Sequence, residues 1–176
     1  MKTHIHRLER TQIIPQPRDE VFAFFADAGN LELITPEFLH FRILTPLPIR
    51  MEPGALIKYR LQLFHIFFPW WTQIETFEPQ RSFTDIQVAG PYRLWHHFHE
   101  FSAVPGGTRM RDVVDYALPL GPLGMIAHTL FVLRTLERIF DYRRDRVTEI
   151  FGQRIVTGSA DSECVERETV RKRGPE

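Results

Sequence analysis

Polar and apolar positions alternate through most of the first 118 residues, and then the period changes. THIHRLERTQII (3–14) alternates loosely and predicts a first strand. PRDEVFAFFAD (17–27) opens on Pro17, places acids in its first turn and spaces Val21, Phe22 and Phe25 as a helix does. GNLELITPEF predicts a second short helix, stopped by Pro36. Strand-like segments follow at 39–45, 55–65, 70–78, 81–89, 92–103 and 108–118, parted by breaks rich in Pro and Gly. From 121 onward Ile126, Leu130, Leu133, Leu136, Phe140, Val147 and Phe151 fall three, four or seven apart, which predicts one long amphipathic helix ending at Gly152. Residues 152–176 are polar and mixed in charge, and the expectation there is a disordered tail. Residues 1–151 form the expected single domain.

Seven mostly antiparallel strands must cover one face of their sheet, and the long helix offers the one large apolar stripe for that purpose. The fold class expected is α+β: a curved antiparallel sheet gripping a C-terminal helix, with two short helices at one end. A cavity forms wherever side chains fail to fill the gap.

The strand YRLWHHFHEF (92–101) holds three histidines among aromatics. Successive strand residues face opposite sides. A two-residue Pro-Gly turn in VPGG pairs Val104 with Gly107. Counting outward sets Glu100 opposite Arg111 and His96 opposite Asp115, complementary pairs suited to a solvent face. The other face then pairs Phe101 with Met110, His99 with Asp112, His97 with Val114 and Trp95 with Tyr116. Because it carries the large apolar groups, that face is the expected inside. A three-residue turn at GPY sets Asp85 opposite His97 and Phe83 opposite His99, with Gln87 beside Trp95. A PQ turn before it sets Ile74 beside Asp85 and Thr72 beside Gln87. The expected interior therefore contains two Asp–His pairs, Asp85–His97 and His99–Asp112, in an aromatic surround. A slip of one residue would reverse every assignment.

Composition removes several functions. Lys plus Arg and Asp plus Glu both total 22, so no positive field gathers nucleic acid. The lone Cys164 allows neither an internal disulfide nor a cysteine zinc site, and no Gly-x-Ser-x-Gly occurs. GPLG lacks the context of a phosphate loop. The polar start and the lack of any apolar run of spanning length lead to the expectation of a cytoplasmic protein without stable membrane insertion. Transient membrane contact stays open. Hydrophobic residues at 43 % and charged residues at 25 % are ordinary, whereas 15 Phe exceed what packing alone requires.

The histidines admit three readings. His97-x-His99 with an aspartate resembles a metal site, but a cupin-type arrangement wants a glutamate where Ala103 and Val104 stand, and His4-x-His6 has no evident partner. No metal and no cofactor are therefore expected. A carboxylate beside an imidazole suits general acid–base work, making His97, His99, Asp85 and Asp112 the catalytic candidates. The same pairs also satisfy each other as a structural network, or orient the head of an apolar ligand. LFHIFFPWW (63–71) reads as a strand pair on the core, with a pocket rim as the alternative. Arginines at 134, 138, 143, 144 and 146, interleaved with acids, read as a solvated helix face.

IIPQPRDEVFAFFADAGNLELITP, FTDIQVAGPYRLWHHFHEF and GTRMRDVVDYALPLGPLG resemble the SRPBCC (START-like) superfamily over about residues 3–151, in the branch grouped with polyketide cyclases/dehydrases and lipid-transfer domains. The resemblance implies a helix-grip fold with a hydrophobic cavity between sheet and C-terminal helix, and places Phe83, Asp85, Gln87, Trp95, His97, His99 and Asp112 at the branch's motif positions. It transfers no reaction. The expected function is binding of a lipid, isoprenoid or polyketide, with transport as a possible use and a cyclase or dehydratase as the alternative. Besides the polar positions, the expected ligand-binding set is Tyr59, Leu61, Trp70, Thr72, Phe83 and Trp95, joined by Phe101, Tyr116, Ile126 and Leu130.

Overall fold

A computed structural model of the chain describes residues 4–63, 66–119, 124 and 128–158. Strand β1 (His6–Ile14) leads into helix α1 (Arg18–Phe25), which starts at Pro17 and buries Val21, Phe22, Phe24 and Phe25. The predicted second helix is two 3₁₀ turns, Ala28–Ile34 and Glu37–Leu39, divided at Pro36. Six strands follow: β2 (Arg42–Ile43), β3 (Leu56–Leu63), β4 (Ile66–Glu78), β5 (Ser82–Ala89), β6 (Leu94–Val104) and β7 (Gly107–Ala117). They form one antiparallel sheet in the order β1-β7-β6-β5-β4-β3-β2. A π-helical turn (His128–Val132) runs into the long helix α2 (Leu133–Gly158). Among the described residues no helix is long and apolar enough to cross a membrane.

The register matches the sequence-based map. Val104 pairs with Gly107, His99 with Asp112, His97 with Val114 and Trp95 with Tyr116. Asp85 pairs with His97 and Phe83 with His99. Trp95, His97, His99 and Phe101 are all buried. On the outer face Arg7 binds Asp115 at 2.7 Å and Arg111 binds Glu9 at 2.7 Å. His96 therefore turns to Glu75, at 3.2 Å, rather than to the Asp115 opposite it.

Three differences have local causes. β4 begins at Ile66, not 70, because Pro69 sits where β5 has ended and only β3 pairs with β4; the missing N–H costs no ladder bond there. Helix α2 continues through Gly152, whose φ is not left-handed and around which the space is open. The third is the π turn. It adds a residue to the helical repeat, so Leu130, placed inside by counting back from Leu136, is 54 % exposed, and His128 is buried in its stead.

Two apolar clusters clamp the ends of the α2–sheet gap. One joins Phe22 and Phe25 of α1 to Phe101, Met110, Val147 and Phe151; the other joins Leu8, Trp95, Val114 and Tyr116 to Leu136 and Phe140. Along β6 the two histidines fall between Trp95 and Phe101, and so between the clusters.

The turn before β7 carries a test. Gly106 and Gly107 have φ of +83° and +150°; a Cβ on Gly106 meets open space, but one on Gly107 would stand 2.1 Å from the Ile14 carbonyl oxygen. Gly106→Ala is expected to lose about 1 kcal/mol, from backbone strain alone. Gly107→Ala should lose about 3 kcal/mol, since β1 must also move. Equal losses in urea unfolding would contradict the register of β1 on β7.

Candidate functional site

Three adjacent strands bring four polar side chains into one buried knot: Asp85 from β5, His97 and His99 from β6, and Asp112 from β7. The cross-strand neighbours are those expected, but the hydrogen bonds cross over. His97 Nε2 lies 3.1 Å from Asp112 Oδ1, and His99 Nε2 lies 3.1 Å from Asp85 Oδ2. His99 Nδ1 approaches Asp112 Oδ1 to 2.7 Å without hydrogen-bond alignment, and His97 Nδ1 stands 3.6 Å from Asp85 Oδ2. Each aspartate thus faces both imidazoles.

Charge divides unequally among the four. Burial opposes every ionised form here. Against it, Asp112 is held well below the usual carboxylate range by the Arg143 and His99 charges and by the hydrogen bond from His97. Asp85 is held down, also against burial, by the His99 hydrogen bond and the nearby positive charges. His99 is raised despite burial, because Asp112 and Asp85 surround it. His97 is pushed down to about 4 by burial and then by the His99 charge. Near neutral pH the knot accordingly holds two carboxylates and a neutral His97, and of its two imidazoles His99 is the one that takes a proton more readily. With His97 Nε2 donating to Asp112, the more distant Nδ1 is the nitrogen of that ring without a proton.

That assignment sets a pH dependence. Unfolded histidine takes a proton near pH 6.5, whereas folded His97 resists one until about pH 4. Acid therefore favours the unfolded chain across this window, and the stability present above pH 6.5 falls as the pH falls towards 4. Thermal melts in chelator are expected to show the His97→Gln variant losing less stability than the parent between pH 7 and 5. Parallel pH profiles would contradict a neutral buried His97.

Above the knot lies a cavity of about 310 Å³. Asp85, His97 and His99 form its polar floor. Tyr59, Leu61, Trp70, Thr72, Phe83 and Trp95 form its sheet wall, and Leu136, Ile139, Phe140 and Arg143 reach in from α2. Wall hydroxyls are spent locally: the Tyr59 hydroxyl and the Trp70 indole N–H both bond Thr72 Oγ1. Pro91, Tyr92, Leu118 and Val132 also line it, as do apolar residues of the 3₁₀ turns, among them Leu31 and Leu39.

Five expected positions do not line this cavity. Gln87 is occupied with the backbone N–H and C=O of Tyr92. Phe101 is packed against Phe22 and Phe25. The Tyr116 hydroxyl meets His128 Nε2 at 2.8 Å, and His128 stacks on His6 at 3.5 Å. Asp112 lies behind the imidazoles, bordering a smaller recess with Arg10 and Arg144. Leu130 is turned outward by the π turn. Ile126 lies outside the described residues.

Arg143 was missed. It is not on a solvated face: its guanidinium sits over the Phe25 and Phe140 rings, and its buried Nε has no hydrogen-bond partner among the described residues. Leu136, Phe140, Arg143 and Val147 are spaced four, three and four apart, so the stripe pointed to an inward 143. In the segment 63–71, Ile66 and Phe67 are more than half exposed while Phe68 and Trp70 line the cavity. The rim reading fits those positions better than the core reading.

No family model and no curated protein matches the chain. Solved structures do. An aromatase/cyclase, ZhuI from Streptomyces sp. R1128, shares 16 % identity at a TM-score of 0.68, covering 86 % of this chain and 96 % of that one. Ara h 8.0201 shares 14 % at 0.57, covering 83 % and 99 %. An uncharacterised protein from Rhizobium leguminosarum shares 12 % at 0.63, covering 84 % and 97 %. At such identities the likeness is one of fold.

Proposed function

We propose, from the START/SRPBCC-like helix-grip fold that the chain shares with these structures, that it binds an apolar small molecule of the lipid, isoprenoid or polyketide kind, with transport in the cytoplasm as the use such binding serves. One observation carries the reading: a cavity of about 310 Å³ with aromatic and aliphatic walls and a single polar floor. Ligand sites have this construction, in which apolar area supplies affinity and a few fixed polar groups orient the ligand. Native mass spectrometry of the purified protein, followed by solvent extraction, should find a co-purifying apolar compound or uptake of added long-chain lipid. A protein that stays empty and indifferent to every apolar compound offered would overturn the proposal.

A second reading is favoured by the neutral His97, whose Nδ1 carries no proton toward Asp85 and borders the cavity. A neutral imidazole there can accept the proton of an enolisable carbonyl, as a cyclase or dehydratase requires, once a bound anionic oxygen raises its proton affinity. His97→Gln and His99→Gln separate the two readings once a ligand is in hand. Loss of turnover with retained binding supports catalysis, and unchanged turnover in both variants ends it.

A further inference from the structure

The floor of the cavity has a feature that neither ligand binding nor acid–base work requires. Asp85, His97 and His99 each offer one ligand atom, and the three atoms lie within 4.8 Å of one another. They are His97 Nδ1, His99 Nε2 and an Asp85 carboxylate oxygen, with the nitrogen-to-oxygen separations 3.6 and 3.1 Å. Four ligands at about 2.1 Å around a tetrahedral ion stand about 3.4 Å apart. The two nitrogen-to-oxygen separations bracket that edge. We infer that Asp85, His97 and His99 form a site for a divalent first-row transition metal ion, with the fourth position open to the cavity.

Asp112 supplies an independent argument. Its Oδ1 faces the far nitrogens of both rings, His97 Nε2 at 3.1 Å and His99 Nδ1 at 2.7 Å. A carboxylate behind a metal-bound imidazole holds the N–H on the far nitrogen and leaves the near lone pair for the ion. Asp112 does this at His97, where Nε2 donates to it and the Nδ1 lone pair is left toward Asp85. At His99 the Asp112 charge beside Nδ1 favours a proton there once an incoming ion displaces the one that Nε2 shares with Asp85. Two imidazoles and one carboxylate select zinc, iron, cobalt or nickel over magnesium and calcium, which prefer all-oxygen shells.

Charge also favours an ion and indicates what would meet it. With neutral imidazoles, Asp85 and Asp112 against the Arg143 guanidinium leave one net negative charge, and a divalent ion reverses it to one positive. The open position, flanked by Arg143 in the same cavity wall, then suits an anionic oxygen such as the carboxylate or enolate of an otherwise apolar ligand. The cation site does not depend on the ligand proposal, since metal uptake is measured with no apolar compound present.

The test uses the full chain, stripped with chelator, dialysed and titrated with Co²⁺ and then Zn²⁺. One Co²⁺ per chain is expected, with the visible absorption of a four- or five-coordinate ion that Zn²⁺ bleaches. Asp112→Asn should weaken affinity about 10- to 100-fold through the imidazoles alone. Asp85→Asn should weaken it further, and His6→Gln, in the separate His6–His128 stack, should change nothing. X-ray absorption of Zn²⁺ on the parent chain reads the ligands with no variant at all, and should give two imidazole nitrogens plus oxygen. Uptake below one ion per chain, a shell without two imidazoles, or loss in His6→Gln but not in Asp85→Asn would overturn the site and leave the cluster as a hydrogen-bonded network.

Discussion

Replacing Asp112 by alanine is expected to remove about 3–5 kcal/mol of stability, the loss typical when one partner of a buried ion pair is deleted. Asp112 is only 8 % exposed, and its Oδ1 faces a ring nitrogen of each histidine. Without it His99, whose proton the two carboxylates favour against burial, keeps a single counter-charge, Asp85. His97 Nε2 also loses the hydrogen bond it makes to Asp112. Asp112→Asn keeps the shape and one acceptor, so it should cost less than the alanine change. Urea unfolding at neutral pH checks both. A loss under about 1 kcal/mol for Asp112→Ala would mean that the knot is solvated and that the charge assignment above is wrong.

The second large effect concerns occupancy. Ile139 is partly buried on α2 and borders the cavity without belonging to the polar floor. Ile139→Trp puts an indole into a space of about 310 Å³ and should weaken binding of an apolar ligand at least tenfold, about 1.4 kcal/mol. Because the added rings enter a void instead of a packed core, the stability cost should stay below the roughly 1–3 kcal/mol of ordinary overpacking. Phe131→Ser, on the exposed side of the π turn, is the matched control and should leave affinity unchanged. Titration of both variants with a fluorescent fatty acid decides the matter. Equal binding in Ile139→Trp and the parent would place the ligand elsewhere.

The sheet was legible because turns and pairs constrain it twice. The two-residue turn at Pro105–Gly106 sets the β6–β7 register, and Glu100 opposite Arg111 and His96 opposite Asp115 give its solvent face a chemical signature. Inward placement of Trp95, His97, His99 and Phe101 followed from that register, because their face carries the large apolar groups of both strands. Cross-linking of the Asp–His pairs was not legible, since pairing fixes which Cα atoms face each other and leaves side-chain torsions free. The helix failed at the point where its repeat changes: a π turn has no signal in the apolar pattern, so Leu130 was counted inward and His128 was overlooked. Arg143 was obscured by its type. Its spacing from Phe140 and Val147 places it on the buried stripe, but an arginine among acids reads as solvated until its stem is seen against Phe25. Gln87 was assigned to the pocket by parity, yet the turn after β5 engages its amide with the Tyr92 backbone.

Three tryptophans provide an internal control for the cavity. Trp70 and Trp95 line it with ring centroids 5.1 Å apart, while Trp71 points to the outer face under Lys58 and is 38 % exposed. Indole N–H resonances of the uniformly ¹⁵N-labelled protein, followed as a long-chain fatty acid or isoprenoid alcohol is added, report on all three at once. Movement of the Trp70 and Trp95 signals with Trp71 still is the predicted result. If Trp71 alone responds, or all three stay fixed across the panel, the space beneath the long helix does not admit an apolar guest.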